Sequence, residues 1–197
     1  TPKRRIKIGT FKVLQNGYKL GERFLKIIFD YAVHSKVEEI YVTIFNKTLE
    51  QQRLIYLLEE FGFVKHGVKL HQGVDEEVYT RDMRKIFNNQ NPKISFPYFY
   101  RGSRAFLVPI YPEYHTNLFP DSILRTESPN DFIENEPFRN AISKVYISRS
   151  YFKDLQTGDN IVFYRTGGYH LSVVSTIGIV ESVITNITSE VQFIEAC

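Results

Sequence analysis

The sequence predicts an α+β protein in two pieces: an α/β piece over residues 1–86 and a small, mainly β piece over 93–197. Three observations carry this. The first 85 residues alternate strand-like and helix-like patterns. The run 85–93 is polar and Asn-rich, closes on Pro92-Lys93 and reads as a linker. From Lys144 onward, short β-branched and aromatic segments follow at the close spacing of a small barrel or sandwich.

In the first piece, Ile6 to Val13 alternates as a strand does, and Gln15-Asn16-Gly17-Tyr18 is a turn signal. Leu20, Phe24, Ile27, Ile28, Tyr31 and Ala32 recur at helical spacing and predict a helix with that stripe inward. Glu39 to Phe45 is a β-branched and aromatic run, expected as a strand buried on both faces. A second helix is expected over 49–61, with Leu54, Leu57, Leu58 and Phe61 on one face and Gly62 as a left-handed stop. Residues 63–70 and 77–83 predict a hairpin.

In the second piece, 104–110 predicts a strand, with Pro109 placing it near an edge or an end. Residues 112–115 are expected as an extended packing segment, and 122–136 as an acidic loop. Strands are expected at 144–148, 160–165, 169–175, 176–181 and 184–187.

Composition excludes several classes. No apolar run approaches the ~18 residues of a membrane span, and no stretch reads as a secretory leader. The one cysteine, Cys197, cannot form a disulfide within one chain, so a reducing, cytoplasmic setting is expected. The five histidines show no metal-ligand spacing, and no metal is expected. The net charge of +3 divides into +6 over residues 1–100 and −3 over 101–197. That division opposes indiscriminate binding to duplex nucleic acid. The Lys3-Arg4-Arg5-Lys7 cluster reads as a solvated chain start.

Gly17-Tyr18-Lys19-Leu20-Gly21-Glu22 opens the first helix directly after a strand, and Gly62-Phe63 closes the second. A helix start offers unpaired N–H groups and the positive end of its dipole, and glycine lets a phosphate approach the backbone. In this order of strand, turn, helix, strand, helix and hairpin, residues 5–85 resemble the C-terminal half of the GNAT superfamily of N-acyltransferases. The resemblance implies acetyl-CoA as co-substrate. Phe11, Lys12 and Val13 would hold the pantetheine arm, and Gly17, Tyr18, Lys19, Leu20, Gly21 and Glu22 the pyrophosphate. Two positions depart from the family's Gln/Arg-x-x-Gly-x-Gly/Ala turn: Asn16 stands at its first place and Lys19 at its first glycine. The tyrosine that serves many members as general acid, four residues before Gly-Phe, is Leu58 here. The catalytic residues are thus unassigned. The chain opens on Thr1, and the family's N-terminal half would lie before it. Three readings fit: an acyltransferase, a domain that binds acyl-CoA without chemistry, and a fold kept as scaffold.

In the second piece, Leu155-Gln156-Thr157-Gly158-Asp159-Asn160-Ile161-Val162-Phe163-Tyr164 sets a tight Gly-Asp turn before an aromatic-rich strand. With Thr176-Ile177-Gly178-Ile179 beyond it, this resembles the PUA-like barrels, which include the ASCH and EVE domains. The resemblance implies binding of RNA or of a modified nucleic acid, with Ser148, Arg149, Tyr164 and Arg165 at the site. Phe163 and Tyr164 also read simply as alternate faces of a strand. The resulting expectation is an acyl-CoA-dependent N-acetyltransferase whose second domain recruits substrate or nucleic acid. The alternative is a nucleic-acid-binding protein with an inactive first domain.

Overall fold

A computed structural model describes residues 3–13, 17–71, 73–84, 89–122, 137–148, 150, 154–167 and 173–196. The chain divides into two compact units. The first comprises 1–87 and 93–98, and the second 88–92 and 99–197. Residues 93–98, which the sequence reading gives to the second piece, thus belong with the first.

The first unit runs β1 (Arg5–Ile8), α1 (Leu20–His34), β2 (Glu39–Ile44), α2 (Leu49–Glu60), β3 (Val64–His71) and β4 (Val74–Asp82). Its sheet has the order β1-β2-β4-β3. β1 is parallel to β2, as a helical crossover requires, and the other neighbours are antiparallel. β2 buries alternate residues, Ile40, Val42 and Ile44, and leaves Tyr41 and Thr43 half-buried. The expectation of burial on both faces is therefore corrected: helices cover one face of this strand.

α1 turns inward a stripe that shares Ala32 with the expected one but is centred on Leu25 and Phe29. Leu25, Phe29 and Ala32 are fully buried, while Ile27 and Tyr31 of the expected stripe are 58% and 61% exposed. Phe29 is the centre of this core, with the rings of Phe61, Phe63 and Phe96 at 6.4, 6.3 and 5.7 Å. Gly62, at φ +80°, ends α2: its N–H donates to the Glu59 carbonyl (3.0 Å) and that of Phe63 to the Leu58 carbonyl (3.0 Å). Arg81 on β4 is 1% exposed, and its guanidinium lies 4.4 Å from the centre of the Phe29 ring. It donates to the carbonyls of Phe61, of Ile94 (3.0 Å) and of Phe96. These last two bonds tie residues 93–98 to the first unit.

A short turn, α3 (Pro92–Ser95), spans the boundary of the units. The second unit then holds β5 (Ala105–Ile110), α4 (Pro112–Leu118), α5 (Pro137–Asn140), β6 (Asn160–Arg165), β7 (Val173–Ile179) and α6 (Glu190–Ala196). β5 is parallel to β6, and β6 antiparallel to β7, in the order β5-β6-β7. Ile110, Phe119, Ile161 and Phe163 form its core. Among the described residues this sheet is open, not a closed barrel, because two expected strands do not join a ladder. Residues 144–148 are anchored by side chains instead. Lys144 Nζ donates to the carbonyls of Phe138 (2.7 Å) and Arg139 (3.0 Å), and Tyr146 Oη to that of Pro109 (3.4 Å). Residues 184–187 are coil. The pair expected at 169–175 and 176–181 is a single strand, β7, and 168–172 lie outside the described residues. Residues 112–115 are helical, not extended, since Pro112 stands at the first turn, where its missing N–H costs nothing. No helix among the described residues is long and apolar enough to cross a membrane.

Candidate functional site

Two helix starts in the first unit are built differently. Before α2, Gln51 N–H donates to Thr48 Oγ1 (3.3 Å), while the N–H groups of Lys47 and Thr48 donate to Gln51 Oε1 (2.9 and 3.0 Å). That is a complete capping box. Before α1 the capping residue is Lys19, which has no acceptor to offer and makes no side-chain cap. Lys19 adopts φ 54°, ψ 22°, the left-handed region that favours glycine. The first-turn amides of this 15-residue helix therefore point out from a cationic N-cap. Lys19 Nζ pairs with Glu22 Oε1 at 3.0 Å, so the carboxylate in the first turn is balanced by the cation beside it.

Of the glycines that flank Lys19, only one opens space. Gly17 sits at φ +90°, and nothing lies within 4 Å of where a Cβ would stand. Gly21 is helical, and a Cβ there would meet Leu57 Cδ2 at 2.9 Å. Gly21 thus serves the approach of α1 to α2. Tyr18 is exposed and Leu20 half-buried on the rim of the turn. Leu14, Gln15 and Asn16 lie outside the described residues.

The segment before the turn leaves the β1–β2 ladder. The β1–β2 ladder ends at Ile8 opposite Val42, although β2 continues to Ile44. Among the described residues, Gly9 to Val13 pair with no strand. Phe11 instead rests its ring against Phe24 of α1 (4.7 Å, 63°), with Lys12 exposed and Val13 half-buried. The chain of 11–13 accordingly offers N–H and C=O groups beside the start of α1.

No side chain of the familiar kind stands ready as a proton donor. Leu58 is fully buried core, and Tyr56 faces solvent at 65% exposure. Tyr79, on β4, is buried and donates to Glu77 Oε2 (2.9 Å), while Lys65 Nζ lies 2.5 Å from Glu77 Oε1. Burial, then the Glu77 carboxylate, pushes Tyr79 up to about 12, and Lys65 with Tyr79 holds Glu77 below its ordinary value. Tyr79 is thus committed to Glu77. No group of His, Cys, Asp and Glu among the described residues is placed to hold a metal ion.

In the second unit the Gly-Asp turn has a structural purpose. Asp159 takes both arms of Arg104, from Nε (2.9 Å) and Nη2 (2.7 Å), and accepts from Gln156 N–H (2.8 Å). Arg104 holds the Asp159 carboxyl below the usual range. Gly158, at φ +92°, faces Asn89, whose carbonyl a Cβ would meet at 3.3 Å. Asn89 Nδ2 donates to Ser103 Oγ, Gly158 O and Asn160 Oδ1 at 3.1, 2.9 and 3.0 Å, and its Oδ1 accepts from Tyr100 N–H (2.8 Å).

Two residues expected to read a base, Tyr164 and Arg165, stand on opposite faces of β6. Phe163 is core, against Phe119 (4.8 Å) and Tyr146 (5.4 Å). Tyr164, next along β6, points to the opposite face, between Pro109 and Val174 in register. Arg165 returns to the Phe163 face. Ser148 is exposed and its Oγ accepts from Ser150 N–H (3.1 Å); Arg149 lies outside the described residues. Local sequence could not tell that Lys19 is left-handed or that Gly21 serves packing. The mismatch of Lys19 to a glycine pattern was the available signal. Compared with models of known protein families, with curated proteins and with solved structures, the chain finds no match.

Proposed function

We propose that the first unit binds acyl-CoA and belongs to an N-acyltransferase of the GNAT kind. The observation that carries this is the left-handed Lys19 at the start of α1, which makes no side-chain cap, a few residues after a segment that pairs with no strand among the described residues. The start of α1 suits a pyrophosphate through its dipole, with Gly17 leaving room. The backbone of 11–13 suits the amides of a pantetheine arm. Acyl-CoA supplies a thioester whose acyl group an amine acceptor can take, with the thiolate leaving. Leu58 carries no proton to give and Tyr79 is committed to Glu77, so neither protonates that thiolate in this reading. Tyr164 and Arg165 stand on opposite faces of β6, so base recognition forms no part of this proposal.

The test is calorimetric titration of the full chain with acetyl-CoA. Binding is expected, and Lys19→Glu should weaken it by roughly tenfold, ~1.4 kcal/mol, by reversing the charge at the helix start. No heat at millimolar acetyl-CoA, and no rise in melting temperature, would overturn the reading.

A further inference from the structure

The three-stranded sheet of the second unit has two faces of different standing. One carries the core of Ile110, Ile161 and Phe163. On the other, register sets Leu107, Val162 and Ile177 abreast in one row, and Pro109, Tyr164 and Val174 in the next. Leu107, Val174 and Ile177 are 64%, 58% and 46% exposed. A β-bulge between Phe163 and Tyr164 keeps Val174 on this face. Six apolar or aromatic positions in two rows make a larger apolar patch than single exposed side chains do.

The same unit carries a second exposed apolar element. From Glu181 to Ile194 every residue is exposed. Ile184, Ile187, Val191 and Ile194 recur along this stretch, the last two one helical turn apart in α6. The segment therefore does not fold back on its own sheet. Its carboxylates at Glu181, Glu190 and Glu195, with no Lys or Arg from 181 to the last residue, set two such tails against each other. A tail does not match a tail, but it matches the uncharged sheet face.

We propose that two copies of this chain exchange their C-terminal segments, each laying 183–194 across the outer face of the other's β5-β6-β7 sheet. The stretch 180–189 can extend over ~30 Å, enough to reach a neighbour. One sheet face and one tail from each copy engage about 20 residues a side, the size of a stable interface. The exchange is reciprocal and closes as a two-fold dimer.

Complementation between two variants tests this. Wild-type chain should sediment as a dimer at high concentration. Ile177→Glu on the sheet and Ile194→Glu on the tail should each raise the dimer dissociation constant by more than about tenfold, since each sets an unpaired carboxylate in an apolar contact. Both side chains are exposed, so circular dichroism should be unchanged; Val174→Lys replaces Ile177→Glu should the latter disturb it. Mixing the sheet variant with the tail variant should restore a dimer, because one intact sheet then meets one intact tail. A wild-type monomer at every concentration, variants that still dimerise, or a mixture that stays monomeric would each overturn the proposal.

Discussion

Arg81 permits the most detailed prediction. Its guanidinium serves three carbonyls, of Phe61, Ile94 and Phe96, the first of them buried, and lies over Phe29. Arg81→Met keeps the length of the side chain and removes every donor. Each orphaned acceptor costs about 1–3 kcal/mol, or ~6 kcal/mol for three taken at mid-range. Against this, the charge is itself costly where it lies. Burial pulls Arg81 down to about 10, well below its ordinary value. That corresponds to ~3 kcal/mol against the charged form, which the substitution recovers. The net loss is about 3 kcal/mol, a large share of a domain's 5–15 kcal/mol. Arg81→Lys keeps the charge but reaches fewer carbonyls and should lose ~1–2 kcal/mol. The loss should be local first. Urea unfolding gives the total, and hydrogen exchange at Tyr98 N–H, bonded to Ser95 O at 2.9 Å, reports on 93–98. An Arg81→Met chain within about 1 kcal/mol of wild type, with Tyr98 protection unchanged, would refute the reasoning.

Three further outcomes follow. Asp159 has a lowered carboxyl, so its stabilising effect is full above the unfolded value of ~3.9 and is lost as pH falls through its lower folded value. Asp159→Asn should therefore cost about 2 kcal/mol at neutral pH and give a shallower fall in melting temperature below about pH 4. Gly17→Ala should cost ~1–2 kcal/mol through its positive φ. Gly21→Ala should stay within about 1 kcal/mol, as helix propensity offsets the shift of the Leu57 side chain; of the two, Gly17→Ala alone should weaken acetyl-CoA binding by calorimetry. By thermal melting, Phe163→Ala should cost ~3–5 kcal/mol, as a core aromatic, and Tyr164→Ala less than half of that.

Much of the first unit was legible because its signals are local. The β-branched run in β2 and the Gly62 stop each need only neighbours in sequence. The buried face of α1 was not, because Leu20–His34 is apolar on more than one side. Which stripe turns inward depends on where Phe61, Phe63 and Phe96 stand, which no local period reveals. In the second unit, 144–148 has the composition of a strand, yet Tyr146 spends its aromatic ring on Phe163 and the backbone joins no ladder. At the candidate site the glycine pattern marked the turn correctly in place, but it could not separate Gly17, which opens space, from Gly21, which lets two helices touch.

The boundary between the units is not a single point on the chain. The chain leaves the first unit after Phe87, comes back for Lys93–Tyr98 and leaves again. A truncation at the Asn-rich stretch, where a cut would be drawn from composition, removes two of the three acceptors of Arg81 and strips Phe96 from Phe29. The shortest fragment of the first unit expected to fold therefore ends beyond Tyr98. The same interleaving makes the two units hard to recombine with others by splicing at the linker, since a graft there would carry the buried arginine away from the carbonyls that hold it.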